Sequence, residues 1–410
     1  MKKLLQINPV LRANTSTGRI MQEIGDIAMQ NGWQSYIAYS GGRDDIMPCT
    51  SQLLPVGNRL SVAWHGLMTR LFDRHGLASK SATRKLMRQI EALQPDVIHI
   101  HNIHGYFLNY PLLFDYLSRS GIPVVWTIHD CWLFTGHCYH YASAHCYRWQ
   151  EGCHHCPQRR EFPTSWWRDR SARNFADKRA AFTSLPHSQM TFVTVSEWMK
   201  GEVQQSFLRD YTFRVIHNGI NISTFHPCAT DGIKEKYGWQ DKHIMLGVAS
   251  IWSKEKGLDD FAALAAMLNY DELLVLVGID DKTRQLLPSN IHTIARTANV
   301  QQLAELYSIA DVLINATWQD NYPTVNLEAI ACGTPVVTYR TGGSVEVITP
   351  HTGRIVEQGE VGGLLAATRQ LRTLDRDELR RQCRAFAQAH FSKEERYKDY
   401  ILLYEDLTTR

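Results

Sequence analysis

The chain has 410 residues, of which 44% are hydrophobic and 21% charged, and its net charge is +3. This length predicts two domains, and the composition is that of a globular protein. The small net charge argues against extensive binding of nucleic acid. No run approaches the roughly 18 apolar residues of a membrane span. The start MKKLLQINPV reads as a first β-strand, so we expect a cytoplasmic protein.

Short apolar runs alternate with amphipathic segments, which predicts α/β domains with doubly wound parallel sheets. First-half strands are predicted at KLLQIN, SYIAYS, DVIHIH, PVVWTIH and MTFVTVS, and helices at 16–31, 110–120 and 196–207. Second-half strands are predicted at FRVIHNGI, HIMLGVAS, LLVLVG, NIHTIA, DVLINAT and PVVTYR, and helices at 258–268, 300–310 and 324–331. We place the domains at 1–212 and 213–391. A C-terminal helix at 392–410 belongs to either half or crosses back to the first. Two such Rossmann-like domains would face each other across a cleft that binds ligands.

The segment SVAWHGLMTRLFDRHG predicts an amphipathic helix that carries Trp64, Leu67, Met68, Leu71 and Phe72 on one face. Basic residues lie in it or follow it, namely Arg70, Arg74, Lys80, Arg84, Lys85 and Arg88. The segment SWWRDRSARNFADKRAAF adds a tryptophan pair and further basic residues. Such helices bind anionic membrane surfaces, which would place the protein at the inner face of the cell membrane. The alternative is a helix that packs on its own domain with a solvated basic face.

Histidines follow two predicted strands of the first half. His129 ends VVWTIH, where a doubly wound domain would direct it into the ligand cleft. On its own, a histidine at such a position is more often structural than functional. His101 and His104, in HIHNIHGY, lie near the end of the preceding predicted strand. They either line the side of the cleft that would bind an acceptor substrate or serve packing and loop roles.

A Cys/His-rich loop at 131–165 contains Cys138, Cys146, Cys153 and Cys156. Its terminal Cys-x-x-Cys pair is typical of closed zinc sites, and four thiolates would order a segment with little apolar sequence to bury. We therefore predict a structural zinc that takes no part in catalysis. The alternative is a loop with free thiols.

The stretch DNYPTVNLEAIACGTPVV predicts a helix that begins just after Pro323. The amides of Thr324, Val325 and Asn326 would then point out of its positive end, which is a ready site for a diphosphate. Glu328, one turn further, suits a ribose diol, and Asp320 suits a hydroxylated group held over the same helix end. Together these groups predict a pocket for a nucleotide sugar, the donor substrate, and Asn321 and Tyr322 belong to the same pocket. The alternative is that both acids simply favour a helix start.

This stretch resembles the donor motif of the retaining glycosyltransferases of family 4, which have the GT-B fold. The resemblance continues through RTGGSVEVI, VIHNGINISTFHP, VASIWSKEKGLDDF, TIHD and the first-strand loop NTSTGRI, in the family's order. The motifs HDCW, TGHC and GCHHCP are similar to those of colanic-acid and exopolysaccharide glycosyltransferases.

The resemblance implies a role for individual residues. Glu328 matches the acid that binds the nucleotide ribose, Lys256 matches the lysine that neutralises the donor diphosphate, and Asp320 stands where the family usually has Glu. The family's arginine upstream of Lys256 is absent, and Lys254 is its candidate substitute. Gly18 matches the glycine loop of the first domain. His129 matches a position beside the donor sugar, where it would either orient the sugar or stabilise positive charge at the anomeric carbon through its carbonyl.

The sequence therefore predicts a retaining hexosyltransferase that needs no catalytic cofactor. It would move a sugar from a nucleotide-diphosphate sugar to a growing glycan, on a lipid diphosphate carrier if it works at a membrane. Two enzyme alternatives on this architecture are a nucleotide-sugar epimerase and a phosphorylase with a pyridoxal lysine. A third alternative is a non-catalytic, zinc-stabilised scaffold of a polysaccharide assembly complex.

Overall fold

A computed structural model describes residues 1–12, 15–42, 46–229 and 232–409. The chain divides into two compact units. Unit 1 comprises Met1–His217 and Tyr397–Arg410, and unit 2 comprises Asn218–Arg396. Within the described ranges, no helix is both long and apolar enough to cross a bilayer.

Unit 1 is built on a parallel sheet with the strand order β3-β2-β1-β4-β5-β6-β7. The strands are β1 (Lys3–Ile7), β2 (Gln34–Ser40), β3 (Gln52–Val56), β4 (Val97–Ile100), β5 (Val124–Ile128), β6 (Met190–Thr194) and β7 (Thr212–Val215). The helices are α1 (Ser16–Gln30), α2 (Arg59–Phe72), α3 (Lys80–Leu93), α4 (Tyr110–Ser120), α5 (Ser171–Phe182) and α6 (Glu197–Val203). The strand order reverses between β1 and β4, so the carboxyl ends of these neighbours flank the point where doubly wound sheets bind ligands.

Unit 2 repeats this plan with the parallel order β10-β9-β8-β11-β12-β13. Its strands are β8 (His243–Val248), β9 (Glu272–Val277), β10 (Ile291–Ile294), β11 (Val312–Asn315), β12 (Val336–Tyr339) and β13 (Gly353–Val356). Its helices are α7 (Ile233–Tyr237), α8 (Leu258–Ala265), α9 (Asp281–Arg284), α10 (Val300–Ile309), α11 (Thr324–Ala331), α12 (Val361–Arg372) and α13 (Arg376–His390). Here the order reverses between β8 and β11, the strands that precede the lysine motif and the acidic motif.

The last helix, α14 (Lys393–Thr409), starts in unit 2 and continues into unit 1. Its tyrosines Tyr397, Tyr400 and Tyr404 are buried against apolar residues of β1, β4, β5 and β6. The hydroxyls of two of these tyrosines are hydrogen-bonded: that of Tyr404 lies 2.6 Å from His99 Nδ1, and that of Tyr400 lies 3.0 Å from Thr127 Oγ1. The helix therefore covers one face of the first sheet.

The prediction of two doubly wound α/β domains is confirmed, and each predicted strand segment contains a strand. The strand in FRVIHNGI is present, but its predicted domain is wrong. The sequence reading places it in the second domain, but Thr212–Val215 pairs with β6 in the first sheet, and unit 1 extends to His217.

Candidate active site

Helix α11 begins at the turn that follows β11, as the sequence predicts. Pro323 precedes it in an extended conformation, and no side chain caps the helix start. The Asn315 amide donates to Asn326 Oδ1 at 2.8 Å, and Asn326 Nδ2 donates to the Ser344 carbonyl at 3.2 Å. These two hydrogen bonds, one partly buried and one buried, fix the direction of the helix relative to β11 and to the Gly342–Val345 turn.

The amides at this helix end differ in one respect from the prediction. The Asn326 N–H donates to the Pro323 carbonyl at 3.2 Å, so it is engaged inside the first turn. The helix geometry leaves the amides of Thr324 and Val325 without carbonyl partners within α11. The candidate anion site therefore consists of two amides rather than three.

Glu328 lies one turn inside α11 and is 4% exposed. The hydroxyl of Tyr307, a fully buried residue of α10, donates to Glu328 Oε2 at 3.0 Å. A carboxylate that is buried and anchored through one oxygen has lost rotamer freedom before any ligand arrives. Sequence reasoning missed Tyr307, because its position in ELYSIAD predicts only a buried helix face.

Two predicted donor-binding residues, Lys256 and Asp320, form an ion pair. Lys256 Nζ lies 2.7 Å from Asp320 Oδ2, and the side chains are 38% and 20% exposed. The pair joins the loop after β8 to the loop after β11, at the point where the strand order reverses. Asp320 is therefore held by a cation of its own site, which the sequence alone does not reveal.

The same two loops are joined by backbone contacts. The Trp318 N–H donates to the Glu255 carbonyl at 2.8 Å. Gly257 has φ +76°, and a Cβ there would lie 2.2 Å from the Ala316 carbonyl oxygen. Only glycine permits this approach, which explains the Lys-Gly pair.

The remaining predicted donor residues surround this turn at different depths. Asn321 and Tyr322 are buried, at 5% and 7% exposed, and burial raises the pKa of the Tyr322 phenol. Thr324 and Val325 are half-buried, whereas Lys254 is exposed. The structure therefore places Lys256, and not Lys254, in contact with the acidic motif.

In unit 1, the first-strand glycine loop leads directly into α1. A Cβ on Gly18 would lie 2.7 Å from Thr15 Oγ1 and 3.1 Å from the Val10 carbonyl oxygen, so a larger residue would displace the loop. Asn14 of this loop is outside the described residues.

His129 follows β5 and is half-buried. Burial lowers its pKa to about 4, although the neighbouring Asp130 carboxylate works in the opposite direction. His129 Nε2 lies 3.0 Å from Nδ1 of the buried His101, and His104 pairs with Asp130 at 2.7 Å. All four residues line one small cavity beside Trp132. His101 and His104 thus belong to the surroundings of His129.

The four cysteines of the predicted zinc site line another small cavity of unit 1, together with His137 and Arg148. The Gly136 N–H donates to Cys153 Sγ at 3.1 Å, and the Cys156 N–H donates to Asp169. Lys178 is buried nearby and donates to the Trp132 and Thr135 carbonyls at 2.6 and 2.9 Å. Across the described part of the chain, no group of three or more His, Cys, Asp or Glu side chains is arranged so that it could hold a metal ion. Structural zinc stays a prediction, and binding would require the sulfurs to move to about 2.3 Å from the metal.

Elemental analysis of protein purified without chelator tests this prediction. We expect about one zinc per chain, because four thiolates complete a closed tetrahedral site. The paired substitution Cys153→Ser with Cys156→Ser should remove the zinc and lower the melting temperature, since structural metal binding contributes folding free energy. Cys49→Ser, outside the loop, is the matched control. Wild-type protein without zinc, with the four loop thiols free to react, would contradict the prediction.

The comparison with solved structures defines the fold. Sucrose-phosphate synthase from Thermosynechococcus elongatus superposes with a TM-score of 0.74 and 16% identity, covering 100% of both chains. The protein therefore has the GT-B fold.

Two family profiles define the family, and two curated relatives are similar to this chain. The profile described as Glycosyltransferase Family 4 matches residues 30–224, and that described as Glycosyl transferases group 1 matches residues 230–390. The chain belongs to these glycosyltransferases. The putative colanic acid biosynthesis glycosyl transferase WcaC of Escherichia coli (strain K12) is 22% identical over 98% of this chain and 100% of its own. A GDP-mannose-dependent alpha-mannosyltransferase of Mycobacterium tuberculosis is 30% identical over 35% of this chain and 38% of its own.

Proposed function

We propose that this glycosyltransferase moves a sugar from a nucleotide-diphosphate sugar to a growing glycan and retains the anomeric configuration. The observation that carries the proposal is the turn from β11 to α11. It combines a helix N-terminus, the Lys256–Asp320 ion pair and the anchored carboxylate of Glu328.

The chemistry of this turn matches the parts of such a donor. The diphosphate would bind the Thr324 and Val325 amides, where the helix dipole favours negative charge. Lys256 would add a charge-assisted contact to a phosphate oxygen while it remains paired with Asp320. The Glu328 carboxylate would accept hydrogen bonds from the hydroxyls of the ribose.

The transfer step needs little covalent chemistry from the protein. The bond between the anomeric carbon and the phosphate oxygen breaks, and the acceptor oxygen bonds to the same face of that carbon. The acceptor hydroxyl proton passes to the leaving diphosphate. Lys256 and the helix amides stabilise the charge on that diphosphate. Preorganised hydrogen-bond donors lower the barrier most when they face the charge that develops in the transition state. The family resemblance gives His129 one of two roles, either to orient the sugar or to stabilise its positive charge through the His129 carbonyl.

The biosynthetic context follows from the full-length relative. Because WcaC is named for colanic acid biosynthesis and aligns over its whole length, we place this protein in exopolysaccharide, O-antigen or capsule biosynthesis. The GDP-mannose-dependent relative makes GDP-mannose a first candidate donor, beside UDP-glucose and UDP-N-acetylglucosamine.

Incubation of the purified protein with these three sugar nucleotides tests the proposal. We expect slow release of the free nucleoside diphosphate from one of them in the absence of acceptor. Conversion of the sugar nucleotide to an isomer would favour an epimerase instead. Failure to bind any of the three would favour the scaffold alternative.

We also propose that unit 1 contacts an anionic membrane surface. Helix α2 buries His65, Gly66 and Thr69. Two of its large apolar residues, Met68 and Leu71, are half-buried, and four are exposed: Leu60 81%, Trp64 57%, Leu67 40% and Phe72 39%. Trp166 and Trp167 are 50% and 74% exposed, and the Trp166 N–H donates to the Arg70 carbonyl at the end of α2. The basic residues that follow α2 are also exposed, namely Arg74, Lys80, Arg84, Lys85 and Arg88. An apolar ridge beside a basic surface favours anionic lipid over a solvated helix face.

Sedimentation with vesicles of neutral lipid, and with vesicles that also contain about 30% anionic lipid to give a negative surface potential, tests this contact. We expect binding to the anionic vesicles only. Trp64→Ser with Trp167→Ser should weaken it roughly tenfold or more, since insertion of one large apolar side chain is worth about 1.5–3 kcal/mol. Tyr270→Ser, which changes a residue of unit 2 that is 91% exposed, is the control. Equal binding by the double variant would contradict the contact.

A further inference from the structure

Three buried or half-buried polar side chains form a hydrogen-bonded chain across neighbouring strands of the first sheet. Gln6 lies on β1, His101 follows β4 and His129 follows β5. His101 Nε2 lies 3.1 Å from Gln6 Oε1, and His101 Nδ1 lies 3.0 Å from His129 Nε2. Gln6 and His101 are both fully buried. These hydrogen bonds therefore connect the sheet interior to His129.

The orientation of the Gln6 amide determines which ring nitrogen of His101 carries the proton. Gln6 Nε2 lies 2.9 Å from the Met21 carbonyl oxygen, which can only accept. The amide NH2 must therefore face Met21, and its carbonyl oxygen must face His101. Because that oxygen also only accepts, the proton of His101 must be on Nε2.

The second proton follows from the first. Burial lowers the pKa of His101 well below its usual value, and His99 and His129 lower it further. A neutral His101 with its proton on Nε2 has an unprotonated Nδ1, which accepts the hydrogen bond from His129. The proton of neutral His129 is then on Nε2, and its Nδ1 is unprotonated. Asp130 and His104 are the other titratable groups that act on His129.

We propose that Gln6 and His101 are positioning residues that hold His129 in the tautomer with its proton on Nε2. The assignment of protons rests on the hydrogen-bond geometry, and the consequence for turnover rests on the proposed function. The ring of His129 donates to His101 through Nε2, and in this tautomer its Nδ1 can accept a hydrogen bond but cannot donate one. Any hydrogen bond that Nδ1 makes to a sugar hydroxyl of the proposed donor is therefore one that it accepts.

The hydrogen-bond partner of a histidine ring controls which of its nitrogens carries the proton. Loss of His101 should therefore misplace the contact of His129 with the sugar and affect turnover more than donor binding. We expect His101→Leu to lower kcat for hydrolysis of the best sugar nucleotide of the panel by roughly 10- to 100-fold. The donor KM should change by less than about threefold. His101→Asn should recover most of this loss, because its amide oxygen can occupy the place of Nδ1 and accept from His129.

Nitrogen-15 NMR of the full-length protein labelled at histidine reads the tautomer directly. The His129 ring signals are those that disappear in His129→Gln. We expect a protonated Nε2 and an unprotonated Nδ1 in the wild type and in His101→Asn, and a different or mixed state in His101→Leu. His65→Leu is the matched control, since His65 is also fully buried but lies in α2 and takes no part in the hydrogen bonds from Gln6 to His129. It should lose stability without a change in the His129 signals.

Two results would overturn the proposal. One is a wild-type His129 with its proton on Nδ1, and the other is His101→Leu with wild-type kcat and unchanged His129 signals. A wild type that hydrolyses no sugar nucleotide would refute the proposed function, while the NMR spectrum would still decide the tautomer.

Discussion

Glu328→Ala is expected to lower kcat/KM for the donor by at least about 100-fold. Two hydrogen bonds from ribose hydroxyls to a charged acceptor are worth about 1.5–3 kcal/mol each, and a tenfold change corresponds to 1.4 kcal/mol. The loss should be large because the carboxylate is preorganised by Tyr307 and its desolvation has already occurred on folding. Donor hydrolysis measured across a range of donor concentrations gives the value.

Two further variants separate function from folding at this position. Alanine leaves the buried Tyr307 hydroxyl without its acceptor, which costs about 1–3 kcal/mol of stability. Glu328→Gln keeps an oxygen for Tyr307 and removes the charge, so it should fold like the wild type and still lose most activity. Glu357→Ala changes an exposed carboxylate of the same unit and should be neutral. Wild-type kcat/KM in Glu328→Gln would contradict the assigned role.

Lys256→Ala is expected to cause the second largest loss, roughly 30- to 100-fold in kcat/KM. The substitution removes the cation that we assign to the diphosphate. It also leaves the Asp320 carboxylate, which is 20% exposed, beside the phosphates without its 2.7 Å partner. Both effects raise the energy of a dianionic leaving group, so kcat should fall together with affinity.

The comparison with Lys254→Ala makes this prediction specific. Lys254 is exposed in the same short helical turn, and it was the sequence's candidate for the missing arginine. Its removal should change kcat/KM by less than about threefold, as expected for a solvated lysine. Lys236→Ala, in α7, controls for the loss of one exposed positive charge. If Lys254→Ala is the more damaging substitution, the assignment of Lys256 fails.

Much of the fold could be predicted from the sequence, because parallel strands buried on both faces read as nearly continuous apolar runs. The two strands that escaped prediction, β3 and β13, are edge strands, and β3 contains Pro55, which only an edge tolerates. Strand β7 was assigned to the wrong domain since a strand's partners are not encoded locally.

The sequence points to single residues of the candidate site but not to the contacts between them. The resemblance points to Glu328, Asp320 and Lys256 individually, and the helix start after Pro323 follows from its sequence. The contacts that organise these groups join distant positions: Lys256 and Asp320 are 64 residues apart, and Gln6 and His101 are 95 apart. Tyr307 carries no motif at all. Such pairings are set by strand order, which a single sequence does not fix.

Calorimetric titration with nucleoside diphosphates and the matching monophosphates tests the central claim most directly. If the α11 amides and Lys256 hold the two phosphates, UDP or GDP should bind at least about tenfold tighter than UMP or GMP, since one charge-assisted phosphate contact is worth about 1.5–3 kcal/mol. In Lys256→Ala this preference should largely disappear. Equal affinity for diphosphate and monophosphate in the wild type, or no binding of any of the four nucleotides, would contradict the account.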